Sequence, residues 1–432
     1  MMTQLTETPP DSVTRQPCYR IGTDEAGYGP TLGPLVVSAT LWRETPTEDV
    51  GADTNATDDP NRFLETLAEI FATTPPRRRT TCADKIDAAA PRLIATDSKK
   101  IYTPATGMAL LESQVRGFLT LAEVTEAVIP TRWRTLLTRL APANAAQLDD
   151  VPWYRDADPE LFSTKTATDI TAVNERSRIQ ACSGDPISVA ANAARQRMDA
   201  AGIGLMNIGS RFLDVAAFNA ELDRCESKSD LLAETTLGLV AHFLDEISNE
   251  RTNITTHTNT ITTGDAVAPI NVAIFCDKFG GRNHYTPLLM RIFHSEWSNA
   301  TNNKPNTIPP FGWPRAIVEG RAESVYQLEN ERFRLRIHFT AKGERRVPVA
   351  VASMVSKYLR ETAMELFNEF WLRMWTEFHA NECPHENDPA TRIHEPLRPT
   401  AGYPEDAVRF LAQIGPLQTN LGIPDAGLRR AK

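Results

Sequence analysis

The stretch Val349–Phe378 places Val351, Val355, Leu359, Leu366, Phe370 and Met374 on one broad face of a helix of about eight turns. A helix that long needs an apolar surface of matching length to cover that face. The chain supplies one in β-type runs: Tyr19–Asp24, Pro34–Trp42, Ile270–Cys276 and Leu335–Phe339 are apolar or β-branched and bounded by turn residues. Ile270–Cys276 is the kind of run buried on both faces of a sheet. Further helices are expected at Arg62–Phe71, Ala109–Leu121, Phe212–Asp245 and Pro404–Ile414, and short strands at Arg92–Thr96 and near Ala122–Val128. Strands alternating with helices, without an internal repeat, give an α/β class.

The remaining segments are read as connections. Residues 1–17 are polar and proline-containing and are expected to be a disordered leader without the apolar core of a secretory signal. Residues 44–90 read as an insertion around one short helix, residues 131–188 show weak periodicity, and Thr252–Gly264 reads as a Thr/Asn-rich linker. No apolar run reaches the length of a membrane span, so no membrane partner is expected. Six cysteines without a CxxC pair read as reduced thiols, and a cytoplasmic setting is expected. The net charge of −9 argues against a globally basic nucleic-acid coat and leaves room for a local basic groove.

Four segments carry chemistry. In Gly22–Pro34, the adjacent carboxylates Asp24 and Glu25 end a strand, and a loop with Gly27, Tyr28 and Gly29 follows, where glycines let backbone approach a ligand. Oxygen ligands on rigid elements are what Mg²⁺ chemistry on phosphates requires. Asp97-Ser98-Lys99-Lys100 sets two lysines after a strand, where they can meet phosphates as point charges. Asp277 ends the buried strand Ile270–Cys276, at the strand end where α/β sheets gather ligands. On the long helix, Ser353, Lys357 and Glu361 stack at i, i+4, i+8 as a polar stripe. Taken singly, each segment also reads blandly, as a solvated acid pair, a capped turn, a strand-end acid and a surface ion pair. His379, Cys383, His385 and His394 fit no zinc-ligand spacing and read as a solvated loop.

Together these segments resemble the type 2 ribonuclease H family, ribonucleases HII and HIII. The family's Asp-Glu-Ala-Gly-Arg-Gly-Pro opening with its following Gly-Pro is similar to Asp24–Pro34, and its Asp-Ser-Lys-Lys element stands at Asp97–Lys100. Its isolated strand-end Asp resembles Asp277, its Ala-Ser-Ile-x-Ala-Lys-x-x-Arg-Asp helix resembles Ala352–Glu361, and its Gly-Tyr-Pro turn resembles Gly402–Pro404. The resemblance covers about half the chain. It implies an RNase H-like fold, a mixed central sheet flanked by helices, over residues 18–380. Insertions are expected near 44–90 and 131–210, with a C-terminal loop and helical extension over 381–432.

The resemblance also implies a site of Asp24, Glu25, Asp277 and Glu361 binding two Mg²⁺ or Mn²⁺ ions and cutting the RNA strand of RNA/DNA hybrids. Gly27, Tyr28, Gly29, Lys99, Lys100, Lys357 and Tyr403 would contact nucleic acid, with Tyr403 sensing an RNA-to-DNA junction or merely packing the last helix. The basic tail Leu428–Lys432 is expected to line the same groove as the lysines. A monomer is expected. Two departures stand out. Tyr28 replaces the family's arginine, and Glu361 stands where ribonuclease HII has Asp and ribonuclease HIII has Glu. The alternatives are a catalytically impaired nucleic-acid-binding protein of this fold and a related metal nuclease acting on another structured nucleic acid.

Overall fold

A computed structural model of the chain describes residues 16–45, 60–75, 92–122, 129–162, 185–258, 268–294, 308–382 and 395–431. Seven strands make one sheet: β1 (Cys18–Ala26), β2 (Leu35–Glu44), β3 (Ile203–Leu213), β4 (Ile270–Asp277), β5 (Arg315–Glu319), β6 (Glu323–Glu329) and β7 (Phe333–Thr340), in the order β3-β2-β1-β4-β7-β6-β5. β1 runs parallel to β4 and β4 parallel to β7, while β2 is antiparallel to both β1 and β3. The expected mixed sheet is present.

The apolar runs explain the layering. Along β2, Leu35, Val37, Ala39 and Leu41 turn to one face and Val36 and Trp42 to the other, so a continuous apolar run feeds two cores. On one face lie the helices α1 (Pro60–Ile70), α3 (Ala109–Ala122), α4 (Pro186–Ala200) and the long α6 (Val347–Glu382). The one-turn α2 (Ser98–Ile101) precedes α3, and α5 (Lys228–Thr258) covers the opposite face. Leu359, Phe367 and Trp371 of α6 are fully buried, each contributing about 1.5–3 kcal/mol. The start of α6 lies directly on β1. A Cβ at Gly22 would stand 2.3 Å from the Pro348 carbonyl carbon, so only glycine admits the helix there.

The structure departs from the sequence reading in several places. Residues 203–213, placed largely within an insertion ending near 210, form β3 inside the sheet; Gly204, Asn207, Gly209 and Ser210 had hidden its apolar pattern. Phe212–Asp245 is not one helix, because Asp214 caps a new helix at Val215–Leu222 and α5 begins only at Lys228. That helix runs on through Thr258, into the segment read as linker. Arg92–Thr96 forms a single bridge, Ala72 to Ile94, instead of a strand. The final helix α7 (Pro404–Asn420) continues past Ile414, carrying Pro416 inside it. The strand expected beyond Ala122, nearly all of the leader, and Cys383, His385 and His394 lie outside the described residues. His379 Nδ1 lies 2.9 Å from the Trp375 carbonyl. Among the described residues, no helix is long and apolar enough to cross a membrane.

Candidate active site

The register of β1 against β4 pairs Thr23 with Cys276, so the next residue on each strand, Asp24 and Asp277, emerges side by side at the carboxyl ends. Asp24 accepts a hydrogen bond from the Ser353 hydroxyl of α6, and the Ser356 hydroxyl donates to its carbonyl at 3.0 Å. Ser353 lies 3.2 Å from Ser98, so one pair of hydroxyls joins α6, α2 and β1. Burial, then the neighbouring Glu25 and Asp277 charges, pushes the Asp24 pKa well above the carboxylate range. Burial and Asp277 push Glu25 up to about 7, against the opposing pull of Lys99. Asp277 accepts from the Lys278 amide at 2.9 Å and from the Gly343 amide at 3.4 Å.

Three carboxylates therefore gather at the carboxyl ends of two central strands, where burial and the neighbouring charges disfavour ionisation of Asp24 and Glu25. As they stand they do not close around a single centre: among the described residues, no three Asp, Glu, His or Cys side chains are arranged to hold an ion. Their donor chemistry, oxygen only and anionic, suits Mg²⁺ or Mn²⁺.

Glu361, the fourth expected acid, has other company. Its carboxylate accepts from Lys357 at 2.7 Å, Arg360 at 2.9 Å and the Tyr102 hydroxyl at 2.8 Å. Burial raises its pKa, but these partners together outweigh burial and hold it below the ordinary value. Lys357, expected on nucleic acid, is committed to this ion pair and sits 5.0 Å over the Tyr102 ring. Glu344, which the sequence reading did not single out, follows Gly343 in the turn after β7 and is one residue from the amide bonded to Asp277. The signal was an acid shortly after a parallel strand's end, the same signal that marked Asp277.

Asp97 caps α2 by accepting from the Lys99 amide; Lys99 and Lys100 are exposed, and the Lys99 charge acts on Glu25. The loop from Gly27 to Gly33 is held from beneath. Gly27 has φ +91°, and a Cβ there would stand 2.7 Å from Arg360 Nε. The buried Arg430 donates to the carbonyls of Gly27 and Gly33 and stacks 4.6 Å from the Phe218 ring. A residue of the basic tail, expected to line the groove, is instead the loop's internal support. The Gly402 carbonyl accepts from the Thr31 and Leu32 amides, which brings Tyr403 beside the loop with 53% of its surface exposed. A ring that open contributes little to packing α7. Gly29 has open space where a side chain would go, and Tyr28 is half-buried with its hydroxyl near Gly280.

No family model matches the chain, and no curated protein matches it by sequence. Among solved structures, it is similar to ribonuclease HII of Archaeoglobus fulgidus, described in a complex with PCNA, at 11% identity and TM-score 0.32 over 96% of each chain. It is also similar to the ribonuclease HIII named Bst, described in complex with Mn²⁺, at 12% identity and TM-score 0.26, over 95% of this chain and 68% of that one. A glutamine-to-alanine variant of that ribonuclease HIII gives 13% identity and TM-score 0.29, over 95% and 69%. Likeness this loose places no residue; the site is placed by the chain's own strand register.

Proposed function

We propose that this chain is a divalent-metal-dependent endoribonuclease that hydrolyses the RNA strand of RNA/DNA hybrids. The observation carrying the reading is the emergence of Asp24 and Asp277 side by side from adjacent parallel strands, with Glu25 between them in charge and Lys99 on the rim. Asp24, Glu25 and Asp277 would hold Mg²⁺ or Mn²⁺, which supplies charge neutralisation at the phosphoryl group and activation of water. Ser353 fixes the orientation of Asp24, and the Gly343 amide that of Asp277. Lys99 and Lys100 offset the charge of an incoming backbone. The open backbone at Gly29 can approach a ribose, since a hybrid is recognised by groove shape and the 2′-hydroxyl without base contacts. Glu344 and Glu361 are the two candidates for a fourth acid.

A second reading, a non-catalytic binder of the same nucleic acid, draws on one observation: Lys357 and Arg360 already neutralise Glu361. Incubating purified protein with end-labelled RNA/DNA hybrid, double-stranded RNA and double-stranded DNA, with Mg²⁺, Mn²⁺ or EDTA, separates the readings. Cleavage of the hybrid's RNA strand alone, abolished by EDTA, is the expected result. Hybrid binding without cleavage in either metal would leave the second reading standing and remove the first.

A further inference from the structure

Beside Asp277 lies a cavity of about 380 Å³, lined among others by Lys278, Asn283, Arg321 and Lys342. Its rim is tightly built. Lys278 donates its ammonium to the Gly320 carbonyl at 2.6 Å, Asn283 Oδ1 at 2.9 Å, and Ser324 and the Arg282 carbonyl at 3.3 Å. These bonds tie the β5–β6 turn to the loop after β4. On the other flank the Ala341 amide donates to the Ala322 carbonyl at 2.9 Å, tying the same turn to the end of β7. Arg321 is thus held between two fixed neighbours, and Lys342 stands in a left-handed backbone conformation, φ +64°, that a non-glycine residue adopts at a cost of about 1 kcal/mol.

Both cations are exposed, and among the described residues neither has an ion-pair partner. In a chain of net charge −9, two nearby cations are engaged: Arg282 pairs with Asp230 and Arg346 with Glu323. Two exposed cations that line one cavity, without an ion-pair partner among the described residues, favour an anion. Asp277 in the same wall disfavours a small free anion, which would have to lie against a carboxylate. A strand backbone can avoid this, with one phosphate at the acids and a neighbouring phosphate between Arg321 and Lys342. The acids then have Lys99 acting on Glu25, and Arg321 and Lys342 lining the cavity that Asp277 shares. We infer that Arg321 and Lys342 form a phosphate subsite that grips the nucleic-acid backbone next to the metal-binding acids. This inference rests on the reading of the site as a nuclease centre.

The test is fluorescence anisotropy of a short RNA/DNA hybrid across a KCl series, in Ca²⁺ so that binding is read without turnover. Each cation that meets a phosphate adds about 0.9 to the slope of log affinity against log salt. Arg321→Gln and Lys342→Gln should each lower that slope by about this amount, so a fourfold rise in salt costs each variant about threefold less affinity than it costs wild type. Arg321→Lys should restore the slope, because a phosphate contact needs only the charge. Arg62→Gln, an exposed cation on α1 near the opposite end of β1, should leave it unchanged, and thermal melts should match wild type. If wild type binds and cuts but the double glutamine variant keeps the full slope, the subsite is wrong and the nuclease reading survives. If the slope falls as expected but wild type cuts nothing, the subsite stands and the nuclease reading falls; no hybrid binding at all removes both. Saturable stabilisation by inorganic phosphate, lost in Arg321→Gln with duplex binding unaffected, would make this a free-anion site and overturn the inference.

Discussion

Replacing Glu25 by Gln should stabilise the metal-free protein while damaging its activity. In the fold, burial and the Asp277 charge raise Glu25 from 4.5 to about 7. At about 1.4 kcal/mol per pH unit, ionising Glu25 in the folded chain costs about 3 kcal/mol more than in the unfolded one. The sign follows from proton counts. Between pH 4.5 and 7 the folded state keeps a proton that the unfolded state has released, so stability is fully present below 4.5, falls as pH rises, and is lowest above 7. Gln has nearly the same shape and no charge to lose, so the variant escapes this fall. Because Glu25 shares its burden with Asp24, about 2–3 kcal/mol of the penalty should be recovered at pH 8, or a Tm gain of about 2–3 °C for a chain of this size. Thermal melts in EDTA at pH 4 and pH 8 measure it, with wild type and variant nearly coinciding at the lower pH. Added Mn²⁺ should raise the wild-type Tm and raise the variant's less, since ligand binding stabilises only a state that can bind. A variant that melts below wild type at pH 8, or gains equally at both pH values, would refute the picture of crowded, mutually destabilised carboxylates.

Other substitutions probe the surrounding structure. Arg430→Ala removes the donors to the Gly27 and Gly33 carbonyls and the stacking on Phe218, and should cost about 2–4 kcal/mol in urea melts while weakening hybrid binding. Glu361→Gln leaves the buried Arg360 without its carboxylate and should lower stability by about 2 kcal/mol, whereas Glu344→Gln should leave stability near wild type and lower kcat if Glu344 serves the metal. Tyr403→Ala should reduce cleavage at a single ribonucleotide in duplex DNA more than cleavage of a long hybrid, and Tyr28→Arg should raise it by supplying a fixed cation in the loop; equal losses on both substrates for Tyr403→Ala would mean that the ring only packs.

What could be read from the sequence was whatever local patterning encodes. β1, β2, β4, β7 and α6 are runs whose burial fixes their side-chain types, and Asp24 and Asp277 stood out as acids at the ends of such runs. β3 escaped because its glycines, Asn207 and Ser210 interrupt the pattern, while the sheet supplies its stability through long-range pairing with β2. The β5–β6 hairpin escaped because β5 is exposed along its length. The partners of the site side chains were beyond local reading altogether. Arg430 meets Gly33 across 397 residues of chain, and only the closed fold shows that a terminal arginine supports the loop next to the acids. Likewise, helical spacing correctly joined Lys357 to Glu361 but could not reveal that Tyr102 and Arg360 complete the set.

Single-turnover cleavage of an RNA/DNA hybrid by wild type and by Asp277→Asn, with hybrid affinity measured on the same samples, tests the central claim most directly. The substitution keeps the side-chain volume and an acceptor for the Gly343 amide while removing one of three clustered carboxylates, so folding and the exposed cations should be preserved. The account predicts metal-dependent cleavage by wild type, loss of at least about 10³-fold in the variant, and affinity equal to or tighter than wild type. Cleavage by Asp277→Asn within a few-fold of wild type would contradict it.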